Sequence, residues 1–90
     1  MTSSLVTVRY WAAARSAAGT DHDAFPVEGP VTLAAVVRRV VEAHPGAELA
    51  RVLEVCSVLV GDRPVATEDP ADVVIEPGAE VQFLPPFAGG

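Results

Sequence analysis

The residues with the most chemical potential in this 90-residue chain stand at its end, Pro85-Pro86-Phe87-Ala88-Gly89-Gly90. Gly89 and Gly90 carry no side chains, so a carboxylate on Gly90 would sit on the thinnest peptide available. Such an end can thread a narrow channel in another protein. Pro85 and Pro86 oppose helix and favour an extended path, on which six residues reach about 19 Å at 3.1 Å per residue. Phe87 is the large apolar group on this arm, an anchor that a partner groove could bury. The expectation is that Gly90 supplies the reacting atom and that Pro85, Pro86, Phe87, Ala88 and Gly89 supply the contacts with a partner. Gly-rich chain ends are commonly mobile linkers. Against that reading, Glu80-Val81-Gln82-Phe83-Leu84 alternates with Val81 and Phe83 on one face, a final strand that would deliver the tail from a fixed point.

The rest of the chain offers no self-contained active site. His22 and His44 are far apart in sequence and lack metal-ligand spacing with each other or with a cysteine, so both read as surface or helix-end histidines and no metal is expected. Cys56 opens a segment with strand character, where a lone cysteine acts as a small hydrophobe more often than as a nucleophile. Asp21/Asp23 and Glu68/Asp69/Asp72 are carboxylate clusters of the kind that solvated loops carry. Gly61 and Gly78 are single turn glycines and form no phosphate-binding loop. The Gly90 carboxylate is inert until activated. An ATP-using partner could convert it to an acyl adenylate. Sulfur could then displace AMP to leave a thiocarboxylate, or an amine could displace it to leave a conjugate. The residues alone do not choose between the two.

Composition narrows the partners. Half of the residues are hydrophobic and a fifth are charged, which suits one compact core. No apolar run approaches the roughly 20 residues of a membrane span. Met1-Thr2-Ser3-Ser4 has neither a basic region nor an apolar signal core, and Cys56 is the single cysteine, so a reducing cytoplasm is the expected location. The net charge of −6 argues against nucleic acid and anionic membranes and for a partner with a basic face. All six basic residues are arginine, so no lysine side chain of this chain could receive an isopeptide bond.

The elements that must position the tail follow in order. Val6, Val8 and Tyr10 alternate with Thr7 and Arg9 as a strand with one buried face. Trp11 precedes the alanine-rich stretch Ala12 to Ala18, a short helix closed by Gly19. Asp23 to Val27 suits a strand that Pro26 confines to an edge or an end. Thr32 is an N-cap for the clearest helix, in which Leu33, Val36, Val37, Val40 and Val41 form one apolar stripe before His44-Pro45-Gly46 stops it. A shorter helical piece spans Ala47 to Glu54. Cys56 to Val60 reads as a strand, Gly61-Asp62 as a hairpin turn into Pro64-Val65-Ala66, and Val73-Val74-Ile75 as a short apolar stretch before the final strand. Strands on both sides of one well-formed helix suggest an α+β roll, with the first strand mid-sheet and the last beside it.

On these residues the chain resembles the MoaD/ThiS family of ubiquitin-like sulfur carriers, above all the molybdopterin synthase small subunits of the MoaD type. The resemblance runs from Val6-x-Val8-x-Tyr10-Trp11-Ala12, with Arg15 and Gly19-Thr20, through Thr32-Leu33 and Leu59-Val60-Gly61-Asp62. It continues to Pro77-Gly78-x-Glu80-Val81-x-Phe83 and the Pro85-Pro86-Phe87-Ala88-Gly89-Gly90 tail. Gly61 and Ala79 depart from it, where asparagine and aspartate are common. The resemblance implies a β-grasp domain over residues 1–84, a mixed sheet of about five strands on one main helix, with residues 85–90 as an extended tail. It further implies that Gly90 is adenylated by an activating enzyme that uses ATP and receives sulfur from a donor protein. Gly90 then donates that sulfur as a thiocarboxylate to cyclic pyranopterin monophosphate inside the large synthase subunit. The chain itself would bind no cofactor and, alone, catalyse nothing. Delivery to cysteine or thiazole synthesis, and attachment to proteins as a modifier, are the alternatives.

Overall fold

The computed structural model describes residues 4–65 and 68–86. Strand β1 (Ser4–Tyr10) leads into helix α1 (Ala12–Ala18) and strand β2 (His22–Val27); β3 (Val31–Thr32) runs directly into α2 (Leu33–Ala43), followed by α3 (Ala47–Val55). Then come β4 (Ser57–Val60), β5 (Arg63–Pro64), a 3-10 turn at Pro70–Asp72, β6 (Val74–Ile75) and β7 (Glu80–Leu84). The main sheet has five strands in the order β2-β1-β7-β4-β5. β7 lies at its centre, parallel to β1 and antiparallel to β4. The architecture is the β-grasp, a mixed sheet folded over its helices, as the resemblance implied.

Local chemistry accounts for the elements. Thr32 caps α2 by accepting a hydrogen bond from the Ala35 N–H at 3.1 Å, which satisfies one of the donors a helix start leaves free. α2 is valine-rich and a weak helix on propensity alone, so burial of Leu33, Val36 and Val40 against the sheet supplies what the backbone lacks. Gly19 closes α1 at φ 76°, a left-handed conformation that glycine adopts without cost. Gly61, one of the two departures from the family pattern, has φ 59°. Asparagine tolerates that region too, so the exchange leaves the turn intact. Pro26 sits in the edge strand, where no ladder hydrogen bond is lost.

Two features lay beyond the pattern reading. Val31–Thr32 and Val74–Ile75 pair with each other as a separate two-stranded sheet. Each strand is two residues long, too short for any period to show. Cys56 does not open β4 but follows α3 as its C-cap, and β4 begins at Ser57.

The core runs through Val6, Val8, Tyr10, Val36, Val40, Val81 and Phe83, all essentially excluded from solvent. Tyr10 and Phe83 are register partners on β1 and β7, with rings stacked at 6.4 Å. An aromatic side chain removes roughly 150–250 Å² from water, worth about 5 kcal/mol as an upper figure. A buried hydroxyl must find a partner. Tyr10 Oη donates to Asp23 Oδ2 at 2.7 Å, and the same oxygen lies 2.5 Å from His44 Nε2, which follows the end of α2.

Burial, followed by the hydrogen bond to Asp23, pushes the Tyr10 phenol above its ordinary value of 10.0. The folded chain therefore holds this proton more tightly than the unfolded chain does. Its contribution to stability is complete below about pH 10 and is lost as pH rises above that value. Burial raises the Cys56 thiol as well, which adds in the same direction. Denaturant midpoints should fall above about pH 10, and Tyr10→Phe should flatten that decline while weakening the protein at neutral pH. Tyrosinate absorbance rising near pH 10 in a chain that stays folded at full stability would contradict the assignment.

Candidate functional site

The site is the root of the tail. β7 reaches it with Val81 and Phe83 facing the core and Glu80, Gln82 and Leu84 on the other face. Leu84 pairs with Ser57 of β4, and Phe83 with both Tyr10 and Val58. A strand held on both sides leaves its last residue little freedom, so Pro85 and Pro86, both exposed, depart from a fixed point. Phe87, Ala88, Gly89 and Gly90 lie outside the described residues. Of the six expected site residues, the structure thus describes Pro85 and Pro86 alone.

Trp11 completes the root. Its backbone N–H donates to the Phe83 carbonyl at 3.0 Å and continues the β1–β7 ladder beyond Tyr10. Its indole Nε1–H donates to Gln82 Oε1 at 3.0 Å, so the ring lies against the outward face of β7 and is still 43% exposed. The sheet register adds neighbours on this face: Leu59 pairs with both Gln82 and Pro64, and Arg9 pairs with Gln82. Arg9 also meets Glu80 at 3.3 Å. The register thus sets Trp11 and Leu84 at the point from which the tail leaves, with Leu59 and Pro64 level with Gln82 on the neighbouring strands of the same face. Trp11 was legible as the residue before a helix. Its role as a clamp on β7 was not, because the contact joins positions 71 residues apart.

Directly after the clamp, Ala12 takes φ 51°, the one positive-φ position outside glycine among the described residues. A left-handed alanine costs roughly 1–2 kcal/mol because Cβ crowds the following carbonyl. The strain is held by Trp11 on one side and α1 on the other.

The remaining candidates stay away from reactive chemistry. His22 Nδ1 lies 2.6 Å from Asp21 Oδ1 on the exposed start of β2, and this hydrogen bond holds the Asp21 carboxyl below its ordinary range. His44 is at a helix end, as expected, but belongs with Asp23 and Tyr10, a grouping that 13- and 21-residue separations hid. Two acids of the 68–72 loop are tied locally: Arg63 donates to Glu68 at 2.7 Å, and the Asp69 carboxylate accepts from the Ala71 N–H at 3.0 Å. No cluster of three or more metal-ligating side chains occurs among the described residues. No helix among them is long and apolar enough to cross a membrane.

Both the sequence and the fold have counterparts among known proteins. The model of the family described as ThiS matches residues 8–90. The chain belongs to the ThiS family. The molybdopterin synthase sulfur carrier subunit of Aspergillus niger is 32% identical over 89 residues, which cover 99% of this chain and 98% of that protein. Solved structures share the fold at lower identity. Small archaeal modifier protein 1 of Methanosarcina acetivorans superposes with a TM-score of 0.72 at 18% identity, each chain covered completely. A chain from the complex of subunits 1 and 2 of the molybdopterin-converting factor of Helicobacter pylori superposes with a TM-score of 0.61 at 20% identity. That match covers 96% of this chain and 99% of the other. The likeness to the MoaD/ThiS sulfur carriers read from the residues is thereby confirmed.

The strain at Ala12 gives an inverted expectation. Alanine to glycine inside a helix ordinarily costs about 1 kcal/mol. Ala12→Gly should instead stabilise the chain by about 1 kcal/mol, by removing the Cβ from a left-handed residue. Urea midpoints of the two proteins measure this, and a loss of stability of the ordinary helical size would refute it.

Proposed function

We propose that this chain is the sulfur-carrier subunit of a molybdopterin synthase. The observation that carries the reading is a Gly-Gly end placed after a central strand, in a chain 32% identical over nearly its full length to a molybdopterin synthase sulfur carrier subunit. In the proposed cycle the Gly90 carboxylate attacks the α-phosphate of ATP within an activating enzyme. Pyrophosphate leaves and an acyl adenylate forms. Sulfide-level sulfur supplied by a donor protein then attacks the acyl carbon, AMP leaves, and a thiocarboxylate remains on Gly90. The tail next enters the large synthase subunit, where this sulfur passes to cyclic pyranopterin monophosphate and the terminus returns as a carboxylate.

This division of labour fits the chain's chemistry. It contributes a reacting atom and a rigid root, while acid-base groups come from the partner. The subunit 1 and 2 complex in Helicobacter pylori supports a partner of the large-subunit kind. The net charge of −6 supports a basic face on that partner. Proline restriction at positions 85 and 86 lowers the entropy lost when the tail is ordered in a channel. The exposed indole of Trp11, beside Leu84, is the best-placed anchor on the domain itself.

Intact mass after incubation with ATP, an activating enzyme and a sulfur donor tests the loading step. The chain should gain the difference between sulfur and oxygen. A chain with one alanine appended after Gly90 should gain nothing, and full loading of the extended chain would sink the proposal. Trp11→Ala should weaken binding to the large subunit by about 2 kcal/mol, the scale of an aromatic hot spot, or roughly thirty-fold in Kd. Titration by calorimetry that returns an unchanged Kd would remove Trp11 from the interface.

A further inference from the structure

The helical side of the molecule holds a feature that the sulfur-carrier reading does not use. An apolar groove of about 380 Å³ runs between α2, α3 and the start of β4. Val37, Val41, Leu53, Cys56, Val58 and Phe83 line it, with Glu54 and Glu68 among the surrounding residues. Unfilled apolar surface of this kind in a small domain has lost both contact and hydrophobic gain.

Chain geometry points to its occupant. The groove borders the tail root: Ser57 pairs with Leu84, and its two neighbours, Cys56 and Val58, both line the groove. The α2 end of the groove lies at this same pole, because His44, next after α2, packs edge-on at 5.9 Å against Tyr10, the register partner of Phe83. Phe87 is three residues beyond Leu84, a reach of roughly 9 Å in extended form, about two strand spacings. That suffices to cross Ser57 and enter beside Cys56. Phe87 is also the sole large apolar residue after Leu84. The acids around the groove repel a carboxylate, so the aromatic ring is the part of the tail suited to enter, with Gly90 left outside.

We propose that in the free chain the Phe87 ring seats in this groove and folds the tail back against the domain. The groove is a built-in parking site. A partner that draws the tail into its own channel must first extract Phe87, so an engaged partner, rather than solvent, gains the extended end. Tethering makes the contact intramolecular, at an effective concentration in the millimolar range for so short a linker. A ring that gives only modest affinity is then docked most of the time and still released on binding. The docking does not depend on whether Gly90 carries sulfur, so its test is separate from the loading experiment.

Cys56 serves as the reporter. Alkylation of the purified full chain by iodoacetamide at mildly alkaline pH should be slow. It should be several-fold faster in Phe87→Ala and should return most of the way to the original rate in Phe87→Leu. Methyl resonances of Val37 and Val41 should lose ring-current shifts in Phe87→Ala. Equal alkylation rates in the three chains, or methyl shifts that do not move, would overturn the proposal. Protection that vanishes on dilution would also overturn it, by placing a second copy in the groove instead.

Discussion

The structure depends on β7 being held from both sides. The parallel ladder to β1, extended one step by the Trp11 N–H onto the Phe83 carbonyl, and the antiparallel ladder to β4 place the last strand at the centre of the sheet. Central strands have both rows of backbone groups paired and both flanking strands to displace before they move. Phe83 and Val81 add the hydrophobic half of the same constraint, since they reach the core from the strand that carries the tail. Fold stability and tail direction are therefore set by one set of contacts. A change that loosened β7 would blur the tail's starting point before it unfolded the domain.

That arrangement explains why a chain with so little reactive chemistry can have a specific role. Several of its ionisable side chains are spent on the fold. Arg9 meets Glu80 across the β1–β7 pair, Asp23 ties Tyr10 to His44, and Asp69 caps a turn. In the proposed role the chain behaves as a macromolecular reagent: a rigid body, an apolar collar and a slender arm ending in the reacting atom. Trp11 links these parts, because one residue extends the ladder, covers the outward face of β7 and offers an exposed ring beside the exit.

Much of this was legible in the residues, and the gaps have physical causes. Alternation in Val6–Tyr10 and Val81–Phe83 marked the central strands, and the Leu33 to Val41 stripe with the Thr32 cap marked the main helix. Pro26 marked an edge. These signals are local, and each is repeated over a full element. The β3–β6 pair was too short to have a period, and Cys56 fell to the helix side of a boundary where no residue type decides. The Trp11–Gln82 clamp and the Tyr10–Asp23–His44 grouping join distant positions, which no local pattern encodes. For the site, sequence marked the tail and its final strand; the strained Ala12 and the apolar groove beside the root became visible only in three dimensions.

If sulfur carried on Gly90 is delivered inside a synthase, as proposed, delivery can be followed on the carrier itself. Thiocarboxylated chain would be mixed with the large subunit and cyclic pyranopterin monophosphate, and its intact mass recorded with time alongside the appearance of dithiolene product. The terminus should revert to a carboxylate only when both components are present, in proportion to product formed. A thiocarboxylate that persists unchanged in the complete mixture, with no dithiolene formed, would contradict it.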